Sequence, residues 1–337
     1  MAVEFEFTAG KNFHFTSAFA SRFDAVVKEE RVYLPDTLGD GFIQEVYPKA
    51  GISLCIHNYV LKEEFVLKRL TSSSDDILTF KFDCRTDFKS NGSENGSFFS
   101  GKNTCEVEFS TGNFFTELII PKEIKISFLV ISISRQTLLD LLHLEEGCPI
   151  EKLLKHNKSF VLHEEMNLQM QSTLKEITKI DETTRLATLL YQIKAHELIY
   201  QLFAKLISRS ESKMIPVDQA DADQIYLAKM LILKDLSVPP ELGKLAENIG
   251  MSLTKMKQLY RQVFGDSIYN YYQTARMNEA ARLLQYLSVS ETGYRLGFSN
   301  LSHFARLFEK FHKVKPKRFK DDLKNERTGK VVYQSVS

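Results

Sequence analysis

Along the first 135 residues apolar and polar positions alternate in short runs rich in β-branched and aromatic residues. That period of two predicts strands at Gly51–Val60, Ile77–Phe82, Asn103–Phe109, Phe114–Ile120 and Ile124–Ile133. Between two of these runs, Lys89–Ser97 carries Asn91, Gly92, Asn95 and Gly96 and reads as a polar loop or wide hairpin connection. Many short strands separated by such turns predict a barrel or jelly roll over residues 1–135.

From Gln136 the apolar period lengthens to that of a helix. Gln136–Leu144 reads as one helix, Glu164–Ile180 as a second with Met166, Met170, Leu174 and Ile177 on one side, and Asp181–Ser208 as a third. The third carries Leu186, Leu190, Ile193, Tyr200 and Phe203 on one stripe, and from Leu198 to Ile207 it is apolar nearly all round. A helix with two apolar faces must be covered twice. Two readings stay open for this connector, residues 136–210: a core helix clamped between its own hairpin and the barrel, or a dimer seam or coupling face on Leu198, Leu202 and Leu206. Polar Arg209–Asp221, with Pro216, reads as a linker.

Beyond the linker the pattern predicts about seven helices over residues 219–325, and one turn signature occurs twice. The first copy runs Leu245, Ala246, Glu247, Asn248, Ile249, Gly250, Met251, Ser252, with Met256, Leu259 and Tyr260 following; the second runs Thr292 to Ser299, with Phe304, Leu307 and Phe308 following. In each, a small residue, Ala246 or Gly293, stands four positions before a glycine, Gly250 or Gly297. The small residue lets two helices cross closely and the glycine tolerates the positive φ of a tight turn. Ser252 and Ser299 are expected N-caps of the helices that follow. The copies align at an offset of 47 up to the serines and 48 beyond them, so the second turn carries one extra residue.

Composition changes this picture in two places. A chain of 337 residues suggests two domains and a connector, and 43% hydrophobic residues without a long apolar run fit a soluble protein with no membrane span. The N-terminus, MAVEFEFTAGKNF, has no basic segment followed by an apolar core, so a cytoplasmic location is expected. The net charge of +1 conceals segregation: from Asp221 onward 19 Lys plus Arg stand against 12 Asp plus Glu, a net +7, and the rest carries −6. A basic C-terminal part is what phosphate neutralisation requires. Cys55, Cys84, Cys105 and Cys148 form no CxxC pair and are expected to be buried reduced thiols.

Residues from about Gln219 to Leu323 resemble the DNA-binding domain of AraC/XylS-type bacterial transcription regulators. The resemblance rests on LAENIGMS with MKQLYRQVFG, on Tyr271, Arg276, Met277, Ala280, Leu283 and Leu284, and on GFSNLSHFARLFEKF with Pro316. It departs at Thr292 and Gly293, where the family has an isoleucine-alanine pair, at Lys320 for an arginine, and at Lys313, which has no glycine to match Gly265. The segment from Leu284 to Val289 is about two residues short. The N-terminal part is similar, more loosely, to the cupin-like sensor half of that family; FFSGKNTCEVEFSTG and KISFLVISISRQTLLDLL resemble its siderophore-responsive subgroup.

The resemblance implies an α+β multidomain chain: a cupin-like sensor, a helical connector and an all-α domain with two helix-turn-helix units, each offering a recognition helix to one face of duplex DNA. Outward positions in the first two turns reach base edges. Position for position, base reading falls to Thr254, Lys257 and Gln258 in the first unit and to Asn300, Ser302 and Arg306 in the second; Gln258 and Asn300 suit adenine, Lys257 and Arg306 guanine. Lys255, Arg261, Lys310 and Lys315 are expected at phosphates. Further implied partners are a small-molecule effector, a second copy of the chain and RNA polymerase.

An enzyme is not expected. His196–Tyr200, HELIY, lacks the second histidine of a metallopeptidase motif, and His14, His57, His143, His156 and His163 are scattered, so neither a metal nor another cofactor is called for. Two function classes remain: a ligand-responsive regulator, or a DNA-binding protein whose N-terminal half only dimerises or docks a partner. An interior filled by the chain's own phenylalanines favours the second, and an open cavity with convergent polar groups the first.

Overall fold

The computed structural model describes residues 3–328, apart from 9, 11–12, 29–30, 50, 71–75, 85–104, 113, 156–158, 181–182 and 210–216. The polar loop read at Lys89–Ser97 and most of the linker read before Asp221 lie outside the described residues. Two units are distinguished by their internal contacts, Met1–Asp223 with Gln262–Gly265, and Gln224–Arg261 with Asp266–Ser337.

The first unit runs β1 (Val3–Thr8), α1 (Phe15–Phe23), β2 (Val26–Lys28), β3 (Arg31–Tyr33), β4 (Gly39–Lys49), β5 (Ile52–Leu61), β6 (Phe65–Leu70), β7 (Ile77–Cys84), β8 (Cys105–Thr111), β9 (Thr116–Ile120) and β10 (Lys125–Ser134). Then come α2 (Arg135–Leu142), α3 (Pro149–Lys155), β11 (Val161–Glu165), α4 (Leu168–Ile177) and α5 (Ala187–Arg209). Eight strands pair in the order β11-β8-β7-β10-β5-β4-β3-β2, and β1-β6-β9 form a second sheet. The expected barrel is therefore an open pair of sheets, since β2 and β11 end the larger one without meeting.

Alternation gives the large sheet two buried faces. In β10, Leu129, Ile131 and Ile133 join Leu54, Ile56, Phe80, Phe82 and Phe109 under α2 to α5. Ile126 and Phe128 turn the other way, into a core shared with Phe5, Phe65, Leu67, Leu118 and Ile120 of the small sheet and Phe15 and Phe19 of α1. The second core is aromatic: Phe5 makes edge contacts with Phe15 and Phe19, and Phe7 stacks on Phe13. Polar β4 passes beneath it. The Glu45 carboxylate accepts from the Phe15 and Thr16 N–H groups and the Thr16 hydroxyl, closing the N-terminus of α1 where a negative charge is favoured.

The connector helices correct two expectations. α5 begins at Ala187, not Asp181, and Leu198, Leu202 and Leu206 are 0–1% exposed in the core beneath α4 and the sheet. They cannot form a dimer seam or coupling face, because the local core already covers them. The exposed apolar positions follow another stripe, Leu186, Leu190, Ile193, Tyr200 and Ile207. Cys84 and Cys105 are not reduced thiols but a disulfide, because the β7–β8 ladder makes them direct partners; Cys55 and Cys148 are free.

His57 carries a pH consequence. Its ring is buried, stacked 4.0 Å from Phe128, with Nε2 3.4 Å from the Cys55 sulfur and no hydrogen-bond partner at Nδ1. Burial lowers its pKa to about 3. The unfolded chain therefore binds a proton that the folded chain refuses, and stability present above pH 6.5 is lost as pH falls toward 3, by about 1.4 kcal/mol per unit in that window. Between pH 7 and pH 5 the wild type should lose about 2 kcal/mol more unfolding free energy than His57→Phe. Urea titrations at both pH values check this, and parallel losses would refute it.

Candidate nucleic-acid interface

The C-terminal part folds as seven helices among the described residues: α6 (Gln219–Lys234), whose first turn belongs to the first unit, α7 (Leu242–Asn248), α8 (Leu253–Phe264), whose last residues also belong to the first unit, α9 (Ile268–Leu283), α10 (Val289–Arg295), α11 (Leu301–His312) and α12 (Pro316–Thr328). The repeated signature gives the same turn twice. After α7 the Gly250 N–H bonds to Glu247 O at 3.1 Å and the Met251 N–H to Ala246 O at 3.0 Å. After α10 the Gly297 N–H bonds to Tyr294 O at 2.9 Å and the Phe298 N–H to Gly293 O at 3.0 Å. Both turn glycines have positive φ, 66° and 74°.

The small residues act as the sequence implies. Ala246 is buried, and a Cβ on Gly293 would lie 2.6 Å from Leu301 Cδ2, so a larger residue there would have to push the end of the Leu301 side chain aside. Gly297 is doubly constrained, because a Cβ there would also stand 2.0 Å from the Ser237 carbonyl oxygen. No such obstruction meets Gly250, where the backbone conformation alone requires glycine.

One cap differs from expectation. α8 is capped by Ser252, whose Oγ accepts from the Lys255 N–H at 3.3 Å. The cap of α11 is Asn300, not Ser299: its Oδ1 accepts from the Ser302 and His303 N–H groups at 2.9 and 3.1 Å. Ser252 and Asn300 are related by the offset of 48, so the extra residue lies between Gly297 and Asn300. The cap gives Asn300 a structural role beside the base contact expected of it. Bidentate adenine contact needs the amide oxygen as an acceptor, and both its lone pairs serve the helix terminus.

α9 connects the copies. Tyr272 donates its hydroxyl to Leu236 O at 3.0 Å, and one turn later the buried Arg276 donates through Nε and Nη2 to Leu296 O while its guanidinium lies 3.7 Å from the Phe298 ring centroid. Burial lowers the Arg276 pKa from its ordinary value. His312 of α11 lies 3.1 Å from Met277 O through Nε2. Lys313 has φ +60°, matching Gly265 at +78°, so a lysine ends α11 in the left-handed conformation that glycine supplies after α8.

Around this frame Met256, Leu259, Tyr260 and Phe264 of α8 and Phe304 and Phe308 of α11 point inward, with Leu307 and Phe311 half-buried. Thr254, Lys255, Lys257, Gln258 and Arg261 are exposed on α8; Ser302, Arg306 and Lys310 are exposed on α11, and Lys315 just before α12. His303 is also exposed in the first turn, its ring edge on Phe298. These positions give each recognition helix a polar, basic outer face.

Elsewhere, a cleft of about 590 Å³ lies beside α2 and α3, lined by Asp76, Arg135, Asp140, His143, Glu151 and Lys155 among others. Among the described residues no cluster of His, Cys, Asp or Glu could hold a metal ion, and no helix is long and apolar enough to cross a membrane.

Residues 245–322 match the helix-turn-helix domain family. The regulatory protein PchR of Pseudomonas aeruginosa is 37% identical over 65 residues, 19% of this chain and 22% of that protein, so the chain spans about a fifth of that relative. An uncharacterised helix-turn-helix-type transcriptional regulator of Pseudoalteromonas carrageenovora is 27% identical over 113 residues, 33% of this chain and 68% of that one. Among solved structures, the DNA-binding domain of AdpA in complex with a target DNA is similar at a TM-score of 0.30 and 21% identity, over 31% of this chain and 96% of that one. Unsaturated-fatty-acid-bound ToxT from Vibrio cholerae is similar at a TM-score of 0.30 and 16% identity, over 81% and 95% of the two chains. With the family match falling on the two closed turns and the helix that joins them, residues 245–322 of the chain form a helix-turn-helix domain of that family.

Proposed function

We propose that this chain is a sequence-specific DNA-binding transcription regulator that reads two neighbouring major-groove segments. The observation that carries the reading is the pair of identically closed turns, each presenting an exposed basic helix face, joined by one buried helix. Thr254, Lys257 and Gln258 on α8, and Ser302 and Arg306 on α11, are assigned to base edges; Lys255, Arg261, Lys310 and Lys315 are assigned to phosphates. Asn300 is assigned to the helix cap.

For the N-terminal unit the reading includes a small-molecule effector, supported by the polar cleft beside α2 and α3. A specific observation favours the second reading, dimerisation or partner docking: the space between the two sheets is occupied by phenylalanine rings. Dimerisation is assigned to the exposed stripe of α5. Leu186 just before the helix and Leu190, Ile193, Tyr200 and Ile207 on it are spaced by four, three, seven and seven residues, which keeps them on one side of a helix, and are 39–72% exposed.

If six to eight phosphates are neutralised, the affinity of the full chain for an operator duplex should fall with a log–log salt slope of roughly −5 to −7. A salt-independent interaction would refute the reading.

Arg306→Ala should cost about 1 to 3 kcal/mol on the preferred operator and relax preference at one base pair. Asn300→Ala should lower stability by about 1 kcal/mol, Asn300→Asp should retain it, and neither should change base preference. Thermal melts beside binding to single-base operator variants separate the two residues, and a changed preference in the Asn300 variants would return that residue to base reading.

Ile193→Glu should convert a dimer into a folded monomer in sedimentation and weaken binding to a two-site operator by about 10²-fold or more. A variant that stays dimeric removes the seam.

A further inference from the structure

The two copies of the turn differ at the first residue of their recognition helices. Leu253 opens α8 and Leu301 opens α11, and the offset of 48 that pairs Ser252 with Asn300 pairs these leucines as well. Leu301 is half-buried: its Cδ2 lies 2.6 Å from where a Cβ on Gly293 would stand, so it fills the space that the glycine leaves beside Phe304. In the first copy Ala246 takes the place of Gly293 at the offset of 47, and it is buried with a methyl group of its own. Leu253 is 39% exposed.

A lone exposed leucine on a protein surface carries no message, since much of any surface is apolar. Leu253 has its counterpart one repeat away, and the counterpart is tucked in. On α8 it stands next to Thr254 and four residues before Lys257, so it shares the helix face of two residues assigned to base edges. Ser252, Thr254, Lys255, Lys257, Gln258 and Arg261 around it are exposed and polar. The outer face of α8 therefore carries one branched apolar group, at the N-terminal end whose residues reach base edges in a helix-turn-helix unit.

We infer that Leu253 is a specificity-determining residue that packs against the C5 methyl group of one thymine in the operator half read by α8. The inference rests on the DNA-reading role proposed for α8. In the major groove thymine differs from cytosine by that methyl group and by an acceptor in place of a donor, and the methyl group is the feature an apolar side chain recognises. A leucine offers neither donor nor acceptor, so it selects only through the apolar area that the contact removes from water. Lys257 and Gln258 supply the hydrogen bonds on the same helix, and Leu253 adds discrimination at one base pair. The half read by α11 lacks this contact, because Leu301 packs against the backbone at Gly293.

The test uses the full chain and an operator that it selects from randomised duplex DNA. Each thymine of that operator is replaced in turn by deoxyuridine, which removes the C5 methyl group and leaves every hydrogen-bonding group in place. For the wild type, one replacement should weaken binding about fourfold, the effect of one buried methyl group. Leu253→Ala should bind the thymine and uracil forms of that operator equally, and Leu253→Met should keep the preference. Leu253 lies outside the core, and matching thermal melts of the two variants check that they fold. A wild type indifferent to every replacement, or methyl effects that all survive in Leu253→Ala, would overturn the contact while operator binding itself persists. Failure to select any operator would overturn the DNA-reading role, and the contact with it.

Discussion

The helix-turn-helix unit depends on α9, because two side chains one turn apart on it hold the loop after α6 and the second copy of the turn. Tyr272 bonds a carbonyl in the loop after α6, and Arg276 bonds the carbonyl that precedes Gly297. These acceptors are backbone atoms, so the anchorage is insensitive to which side chains the loops carry. A buried guanidinium is costly unless it is held. Here one carbonyl takes two of its N–H groups and an aromatic face covers its plane, and a relative shift of the second turn would strand the charge. Gly297 adds a steric condition, since the loop carbonyl of Ser237 occupies the space of a side chain. The second turn is thus held against the loop after α6 by backbone contacts around one helix.

In the N-terminal unit the constraint is the large sheet, buried on both faces. Covering one face with helices and the other with a small sheet leaves the second core narrow, and phenylalanines fill it. Glu45 and His57 meet that core in different ways. Glu45 keeps a helix terminus and a hydroxyl as partners, whereas His57 keeps none at Nδ1 and stays neutral. Cys55, beside them, is held as a thiol. Such groups support packing and not nucleophilic chemistry, because a thiolate–imidazolium pair would require both to ionise.

The turns were legible in the sequence because their chemistry is local: a positive φ, a close crossing and a cap are each decided within four residues. Even the displaced cap was encoded, since the change of offset from 47 to 48 pairs Ser252 with Asn300. Strand β4 escaped because Asp40, Gln44 and Glu45 interrupt its apolar pattern; Gln44 and Glu45 are satisfied by Tyr191 and α1, far away in sequence. β2 and β3 are three residues each, too short for a period to register. The cysteines looked remote because twenty residues separate them, a distance that antiparallel pairing of β7 and β8 removes. On α5 both stripes are apolar, and only α4 and the sheet decide which is core.

The second copy of the turn shows how much local chemistry can vary while its geometry holds. Thr292 is fully buried and its hydroxyl finds no partner, a cost of about 1–3 kcal/mol that an apolar residue would avoid. Lys313 adopts a left-handed backbone at about 1–2 kcal/mol where glycine pays no such steric penalty. Against these stand caps richer than those of the first copy. Ser288 and Glu291 form a reciprocal capping box at α10, and Asn300 takes two N–H groups at α11. α7, by contrast, begins at Glu241 without a side-chain cap, and Ser252 takes one N–H at α8. Caps of this kind contribute about 1 kcal/mol each, enough to offset most of those costs. What the two copies share is a carbonyl-closed turn and a fixed crossing, which are the features that a recognition helix must keep in order to enter a groove at a set angle.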